Sequence, residues 1–306
     1  MARILVIKHG AFGDLVQALG GFQDIRLAYP QAHITLLTSP AFKTLMQRCE
    51  SIDAVLVDSR PAYWKWLKLI KCYQRLKQQS FDLVIDLQNT SRTALYRKWV
   101  FPKVRWIGRL PHEPQPVSGL KGLIALLQDN GMTTHNLQQP KIEWLAEDVS
   151  ALLARNQIET PYVLLIPGAS AAHPEKRWPY YPQLAQRLID LNISVVSVLG
   201  PDERELAKEL PRHVLTKLSW FELAGVIQNA QFVVGNDTGP CHIASCFGKR
   251  GFALFGPTTS ASRSELARAN FKTVVSHDLT ALSVDRVFQM LLDHIEKDCS
   301  DSCRID

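Results

Sequence analysis

Three short segments carry residue types whose spacing could do chemistry. The first is Lys8-His9-Gly10-Ala11-Phe12-Gly13-Asp14, directly after an apolar run. Gly10 and Gly13 permit a tight turn and the close approach of a ligand. Asp14 sits where a helix should begin. It can accept backbone N–H groups there as a cap or face outward as a general base, and the residues alone leave both open. The second is Pro167-Gly168-Ala169-Ser170, continuing through Glu175-Lys176-Arg177-Trp178-Pro179. A glycine-containing loop with Lys and Arg ahead of a helix suits a phosphate. A solvated basic loop is the alternative, weakened by the position of the pair just after a strand. The third is Gly235-Asn236-Asp237-Thr238-Gly239-Pro240-Cys241-His242. Thr238 suits an N-cap and Pro240 a first helical turn, so this helix start can turn its N–H groups and positive dipole end toward a diphosphate. Asp237 and His242 flank it. A histidine here is more often packed or capping than catalytic. Cys241 beside His242 raises a thiol nucleophile for which no second activating partner stands out.

What the chain lacks narrows the chemistry. No dinucleotide fingerprint follows strand one, and no Walker A sequence occurs. No Asp-x-Asp pair occurs to hold a metal-bound nucleotide diphosphate, so no metal and no cofactor is expected. Charge on a leaving phosphate then has to be met by Lys, Arg and helix dipoles. The six cysteines (Cys49, Cys72, Cys241, Cys246, Cys299, Cys303) show no Cys-x-x-Cys spacing and read as thiols. Zinc at Cys299 and Cys303 would need partners that the sequence does not place.

These segments need a scaffold. A chain of 306 residues exceeds one comfortable core and points to two domains. Its 46% hydrophobic and 21% charged content is ordinary for a globular protein. No stretch suffices to span a bilayer. The apolar run at the N-terminus is too short for a signal peptide, so a cytoplasmic protein is expected. Runs apolar on both faces at 3–7, 34–37, 54–57, 83–86 and 104–107 read as buried parallel strands. A second set follows at 162–166, 194–199, 232–235, 252–255 and 273–275. Segments of helical period intervene, as at 14–29, 181–191 and 220–228. The alternation predicts two doubly wound α/β domains. The change falls near residue 155, after a helical stretch at 147–156, giving domains 1–155 and 156–306. In such sheets ligands bind outside the carboxyl ends of the strands, where all three segments fall.

The three loops, in this order and spacing, resemble the heptosyltransferases that build the lipopolysaccharide inner core, glycosyltransferase family 9. The most specific parts are Gly-Asn-Asp-Thr-Gly-Pro-x-His at 235–242 with Phe255-Gly256-Pro257-Thr258, then Pro-Gly-Ala and Lys-Arg-Trp-Pro within 167–179. The resemblance implies the GT-B fold, two Rossmann-like doubly wound parallel-sheet domains facing a central cleft. The first domain would bind acceptor and the second the nucleotide sugar, with the C-terminal helix packing back on the first. It implies inverting, metal-independent transfer of a heptose from ADP-heptose to an acidic lipopolysaccharide inner-core acceptor, Kdo or heptose. Asp14 matches the general base. Lys176 matches the lysine that binds the donor phosphate and stabilises departing ADP. Asp237 matches a contact to sugar hydroxyls, and Thr238, Gly239 and His242 match the phosphate-side loop. Glu203, or its neighbour Asp202, matches a ribose contact, and Leu218 the residue whose backbone meets adenine. The chain departs from the family pattern at Gly20-Gly21, where many members carry proline, and at Cys241, where Met or Ser is commoner. Ala169 and Ala171 leave Ser170 as the one hydroxyl at the start of the phosphate loop, which bears on donor identity.

Net charge is +6 and unevenly spread. Between Arg60 and Arg109, twelve Lys/Arg stand against two acids, a local +10 that leaves −4 for the rest. Such a region suits an anionic partner. Trp66, Leu69, Ile70, Tyr73 and Leu76 form one helical stripe, with Lys65, Lys68, Lys71 and Arg75 beside it. Packing on the sheet with a solvated basic face is one reading. Contact with the anionic sugars and lipid phosphates of an acceptor, at the cytoplasmic face of the inner membrane, is the other. Arg60, Arg92 and Arg109, with Gly13, are the acceptor-side candidates. No nucleic-acid motif occurs and none is expected as partner. The alternatives are a transferase of this fold using another sugar nucleotide or glycan, or a nucleotide-sugar or glycan binding protein without turnover.

Overall fold

The computed structural model describes all residues except 110–118, 171–172, 201–202, 204, 259–260, 262–264 and 303–306, and only the backbone of 295–302. The chain forms two compact units, Met1–Leu145 and Ala146–Asp306. The first contains strands β1 (Arg3–Ile7), β2 (His33–Thr38), β3 (Ala54–Val57), β4 (Leu83–Asp86) and β5 (Arg105–Ile107). Its helices are α1 (Phe12–Ala28), α2 (Lys43–Met46), α3 (Trp66–Lys77), α4 (Ser91–Leu95), α5 (Gly119–Gln128) and α6 (His135–Gln138). The second contains β6 (Tyr162–Ile166), β7 (Ser194–Leu199), β8 (His213–Thr216), β9 (Phe232–Asn236), β10 (Arg250–Phe255) and β11 (Phe271–Val275). Its helices are α7 (Ser150–Arg155), α8 (Tyr181–Asp190), α9 (Trp220–Asn229), α10 (Gly239–Cys246) and α11 (Val284–Ser302).

Every strand pairing is parallel. The first sheet runs β3-β2-β1-β4-β5 and the second β11-β10-β9-β6-β7-β8. Each order reverses once, between β1 and β4 and between β6 and β9. At such a point the two outgoing connections leave to opposite sides and open a crevice at the carboxyl edge. The central strands are buried along their length, Leu5, Val6 and Ile7 in one sheet and Val163, Leu164 and Leu165 in the other. That explains why they read as unbroken apolar runs.

All ten expected strands are present. The eleventh, β8, lies at the edge beside β7. Its sequence, His-Val-Leu-Thr, is short, half-buried and bounded by Arg212 and Lys217, both at positive φ, so it offers no apolar run to read. Helix α7 starts later than the helical stretch expected at 147, because the Asp148 carboxylate accepts from the Ser150 N–H at 2.9 Å. The Glu147 N–H donates to the Phe221 carbonyl at 3.3 Å, tying this segment to α9. In α11, Val287 and Leu291 are buried in the second unit's core with Leu184 and Leu188 of α8.

The glycine pair in α1 answers a packing need. A Cβ on Gly20 would lie 2.0 Å from the Asn136 carbonyl oxygen and 2.7 Å from the Leu137 Cα. One turn on, the buried Asp24 carboxylate accepts from the Asn136 N–H at 3.0 Å, the Asn136 side-chain amide at 2.8 Å and the Leu137 N–H at 2.9 Å. Helix α1 therefore meets α6 backbone to backbone, with glycine for proximity and a carboxylate for the amides. A Cβ on Gly21 would make only an ordinary 3.4 Å contact with Leu137.

Gly20→Ala is expected to destabilise the protein by about 2 kcal/mol, the overpacking strain exceeding the roughly 1 kcal/mol of helix propensity gained. Gly21→Ala should be neutral or stabilising by up to about 1 kcal/mol. Urea denaturation of the two variants checks the contrast.

Candidate functional site

In the first unit, Lys8, Asp14, Gln17, Gln88, Asn89 and Arg109 line a pocket at the β1/β4 reversal, with Leu87, Gly119, Gly122 and Leu123 completing its wall. The loop after β1 is fixed through its backbone. The Gln88 side-chain carbonyl accepts from the His9 N–H at 2.9 Å and the Gly10 N–H at 3.0 Å, and the Ser39 hydroxyl donates to the His9 carbonyl at 2.9 Å. Gly10 takes a φ of +66°, in the region that favours glycine. Helix α1 then starts at Phe12 with Ala11 in the cap position and no side-chain cap bond. Asp14 is therefore not the cap. It lies in the first turn, exposed, where the positive end of the dipole favours its carboxylate.

Lys8 is nearly buried, and its ammonium donates to the Leu87 carbonyl at 3.3 Å. Burial pulls its pKa below the ordinary lysine value, while the nearby Asp14 and Asp86 charges oppose that shift. Asp86, at the end of β4, is pushed up by burial, against hydrogen bonds from Thr93, Asn89 and Gln88. Its Oδ1 accepts from the Gln88 and Asn89 N–H groups at 2.9 Å each, and the Asn89 side-chain oxygen accepts from the Arg109 N–H at 2.6 Å. Asp14 and Arg109 thus meet in one pocket. Arg60 and Arg92 are not among its lining residues. Arg60 is exposed at a φ of +48°, its N–H donating to Asp58 at 2.7 Å. Arg92 donates to the Pro61 carbonyl at 2.7 Å and lies over the Tyr63 ring at 4.9 Å. Gly13 is helical and half-buried in the first turn of α1.

A buried polar cluster stands behind the loop. His9 Nε2 lies 3.0 Å from Asp58 Oδ2, and the Tyr96 hydroxyl donates to the same oxygen. Burial raises the Asp58 carboxyl, yet the contacts from His9, Tyr96 and the Arg60 N–H outweigh it and hold the pKa near 2. The same surroundings push the Tyr96 hydroxyl well up, burial first and Asp58 second.

In the second unit, the β6/β9 reversal gathers the other two segments. Lys176 Nζ lies 2.9 Å from Asp237 Oδ2, across 61 residues of sequence. Asn236, wholly buried, joins the two loops. Its amide nitrogen donates to the Pro167 and Gly168 carbonyls at 2.8 and 3.1 Å, and its oxygen accepts from the Trp178 N–H and the Tyr181 hydroxyl at 3.2 Å each. Glu203 accepts from the Gly200 N–H at 2.7 Å and lies 3.9 Å from Arg177. A Cβ on Gly168 would fall 2.0 Å from that carboxylate, so glycine lets it reach the phosphate-side loop. Asp202 lies outside the described residues, as does Ala171. Ser170 is exposed at the start of its loop. Leu218, half-buried, precedes the Ser219 cap of α9, whose capping box with Glu222 fixes the turn after β8.

Thr238 occupies the cap position of α10 with extended backbone and without a side-chain cap bond, and Gly239 and Pro240 open the first turn. His242 is largely buried. Cys241 packs under this turn, where a Cβ on Gly235 would meet its sulfur at 2.3 Å. Burial pushes the Cys241 thiol up to about 12, so a thiolate nucleophile is not available at neutral pH. Cys49, Cys72, Cys241 and Cys246 are free thiols. The side chains of Cys299 and Cys303 lie outside the described residues. Among the described residues, no three His, Cys, Asp or Glu side chains cluster as a metal site, and no helix is long and apolar enough to cross a membrane.

Lys8, Gln88, Asn89 and Asn236 are the site residues that the sequence reading did not single out. Lys8 carried a signal, a cation directly after a buried strand. Gln88 and Asn89 matter because β4 lies next to β1, which no local pattern records.

The chain resembles known proteins along most of its length. It is 27% identical over 295 residues to lipopolysaccharide heptosyltransferase 1 of Pseudomonas aeruginosa, covering 84% of this chain and 79% of that protein. A glycosyl transferase family 9 structure from Veillonella parvula superposes with a TM-score of 0.80 at 19% identity, covering 97% of each chain. The Escherichia coli heptosyltransferase WaaC with ADP-2-deoxy-2-fluoro heptose superposes with a TM-score of 0.70 at 19% identity, covering 95% of this chain and 99% of that one. Both likenesses support the GT-B fold class that the two parallel-sheet units display. Residues 120–286, more than half the chain, match glycosyltransferase family 9 (heptosyltransferase), and the chain belongs to that family.

Proposed function

We propose that this glycosyltransferase moves a heptose from ADP-heptose to an acidic acceptor, Kdo or heptose, of the lipopolysaccharide inner core, with inversion and without a metal. The observation that carries the reading is the Lys176–Asp237 pair at the reversal of the second sheet, in a family member. A lysine held beside a helix start is suited to the charge that builds on a departing diphosphate. The WaaC structure, which holds an ADP-heptose analogue on the same fold, supports that donor. The Pseudomonas relative, named for lipopolysaccharide, supports the acceptor class.

Asp14 is the base in this reading. As the acceptor oxygen attacks the anomeric carbon, its proton passes to the Asp14 carboxylate while the bond to the diphosphate breaks, so a single displacement inverts the centre. Lys8 supplies a buried positive charge beside that carboxylate, and Arg109 adds a cation on the pocket wall for an acidic acceptor. Gly13 opens the first turn to the acceptor, with Arg60 and Arg92 on the same side. Lys176 takes the diphosphate charge, and Asp237, which orients the lysine, accepts from sugar hydroxyls. Ser170, Thr238, Gly239 and His242 form the phosphate side. Glu203 meets the ribose, and the Leu218 backbone meets adenine.

ADP release from ADP-heptose, measured with and without a Kdo-bearing lipid A acceptor, tests the reaction. Acceptor-dependent release is expected, and its absence from folded protein would sink the assignment. Asp14→Asn should keep the fold, losing about 0.3–1 kcal/mol of dipole stabilisation, while kcat falls by roughly 10²–10⁴. A large stability loss at preserved turnover would make Asp14 structural. Lys176→Ala should lower kcat by roughly 10²–10³, and unchanged kinetics would remove it from the site. Cys241 should resist iodoacetamide in the folded enzyme at pH 8, since a thiol held near 12 exposes almost no thiolate there. Rapid alkylation with loss of transfer would return it to the chemistry.

A further inference from the structure

Among the described residues, ten large hydrophobic side chains stand largely exposed, and five of them, Tyr63, Trp64, Trp66, Leu67 and Ile70, fall within residues 63–70. Half of the exposed apolar bulk is thus concentrated at one end of one helix, where scattered exposure would need no account. The expected single stripe along α3 is divided in the structure. Leu76 is buried in the core cluster with Leu5, Ile7 and Val84, and Cys72 and Tyr73 pack against it. Leu69 is half-buried. All four lie on one helical face, and Cys72, Tyr73 and Leu76 attach α3 to its sheet. Trp64 and Trp66, 79% and 61% exposed, remain in water with Leu67 and Ile70.

The charge around them has one sign. Between Asp58 and Asp82 the chain has no acid and six cations: Arg60, Lys65, Lys68, Lys71, Arg75 and Lys77. Lys65, Lys68 and Lys71 are exposed and interleave with the apolar residues. Lysines threaded through an apolar patch are what the core of a protein interface excludes. A bilayer surface accepts them, because the stem lies along the acyl boundary while the ammonium rises to a phosphate. Tryptophan settles at the same depth.

The location also suits that partner. Helix α3 is the crossover from β3 to β4, so its start lies at the carboxyl edge of the sheet, the edge that carries the pocket of Lys8, Asp14 and Arg109. Arg92, through the Pro61 carbonyl and the Tyr63 ring, holds the approach to the patch.

We infer that Trp64, Trp66, Leu67 and Ile70 insert into the headgroup layer of an anionic membrane, with Lys65, Lys68 and Lys71 on its phosphates. This goes beyond the reaction proposed above and stands without it. The test is co-sedimentation of the full chain with phosphatidylcholine vesicles, with and without phosphatidylglycerol, in low and high salt. The vesicles contain no acceptor or nucleotide sugar, so failure here leaves the transfer reaction untouched, and failure of transfer leaves this result untouched. Binding should require phosphatidylglycerol and weaken with salt. Changing Lys65, Lys68 and Lys71 together to Gln should weaken it by roughly 100-fold, about fivefold for each cation. Trp64→Ser with Trp66→Ser should weaken binding and abolish most tryptophan quenching by brominated lipid. Both variants should melt with the wild type, because the changed side chains are exposed. Absence of vesicle binding, equal binding to neutral vesicles, or unchanged binding by both variants would overturn the inference. A concentration-dependent dimer that the tryptophan variant loses, without vesicle binding, would overturn it in favour of a second copy.

Discussion

Parallel pairing governs where chemistry can sit in this protein. A parallel sheet needs a crossover after each strand, and helices on both faces bury the strands completely. Every functional loop is then delivered to one edge. Where the strand order reverses, neighbouring connections diverge and the edge opens. The β1/β4 reversal exposes Asp14 above the buried Lys8, and the β6/β9 reversal brings Lys176 to Asp237. Both sites follow from one topological rule applied to two sheets that share no repeated sequence.

Delivering a loop to an edge does not fix its shape, and buried polar side chains complete that task. Asn236 satisfies four hydrogen bonds at once and locks the phosphate-side loop to the end of β9. In the first unit Gln88 gathers two amides of the loop after β1, and Asp58 gathers His9, Tyr96 and the Arg60 N–H behind it. An unmet buried polar group is expensive. These clusters bring their polar groups into contact with one another, and they keep the surrounding charges in place before any ligand arrives. The same economy of space appears at Gly168 and Gly235, where a Cβ would displace Glu203 or Cys241.

Family membership and the geometry of the site come from different properties of the chain. Membership rests on sequence similarity through the second unit and part of the first. The site rests on geometry within each unit. Cys241 illustrates what geometry adds to residue type. Beside a histidine it suggested a nucleophile, but its complete burial in the first turn of α10, against Gly235, makes it a packing residue.

Much was determined by the sequence alone. Ten strands were legible because burial on both faces demands continuous apolar runs, and the principal helices because amphipathic packing imposes its period. The three loops were legible because glycine, Asp, Lys and Thr cluster where strands end. What remained belonged to the tertiary structure. Edge strand β8, four residues long and only half-buried, had no pattern to show. Gly20 stood out only as a departure from the family's usual proline, and the Asn136 backbone against it supplies the reason for glycine. The α3 stripe looked continuous, yet it is Cys72, Tyr73 and Leu76 that pack on the sheet, while Trp66 and Ile70 stay exposed. Asn89 and Arg109 enter the pocket, while Arg60 and Arg92 do not line it, because β4 pairs with β1 across nearly eighty residues. Local periodicity reports whether a residue is buried. Which distant residue lies beside it is decided by the order in which strands pair, and that order is a property of the folded sheet.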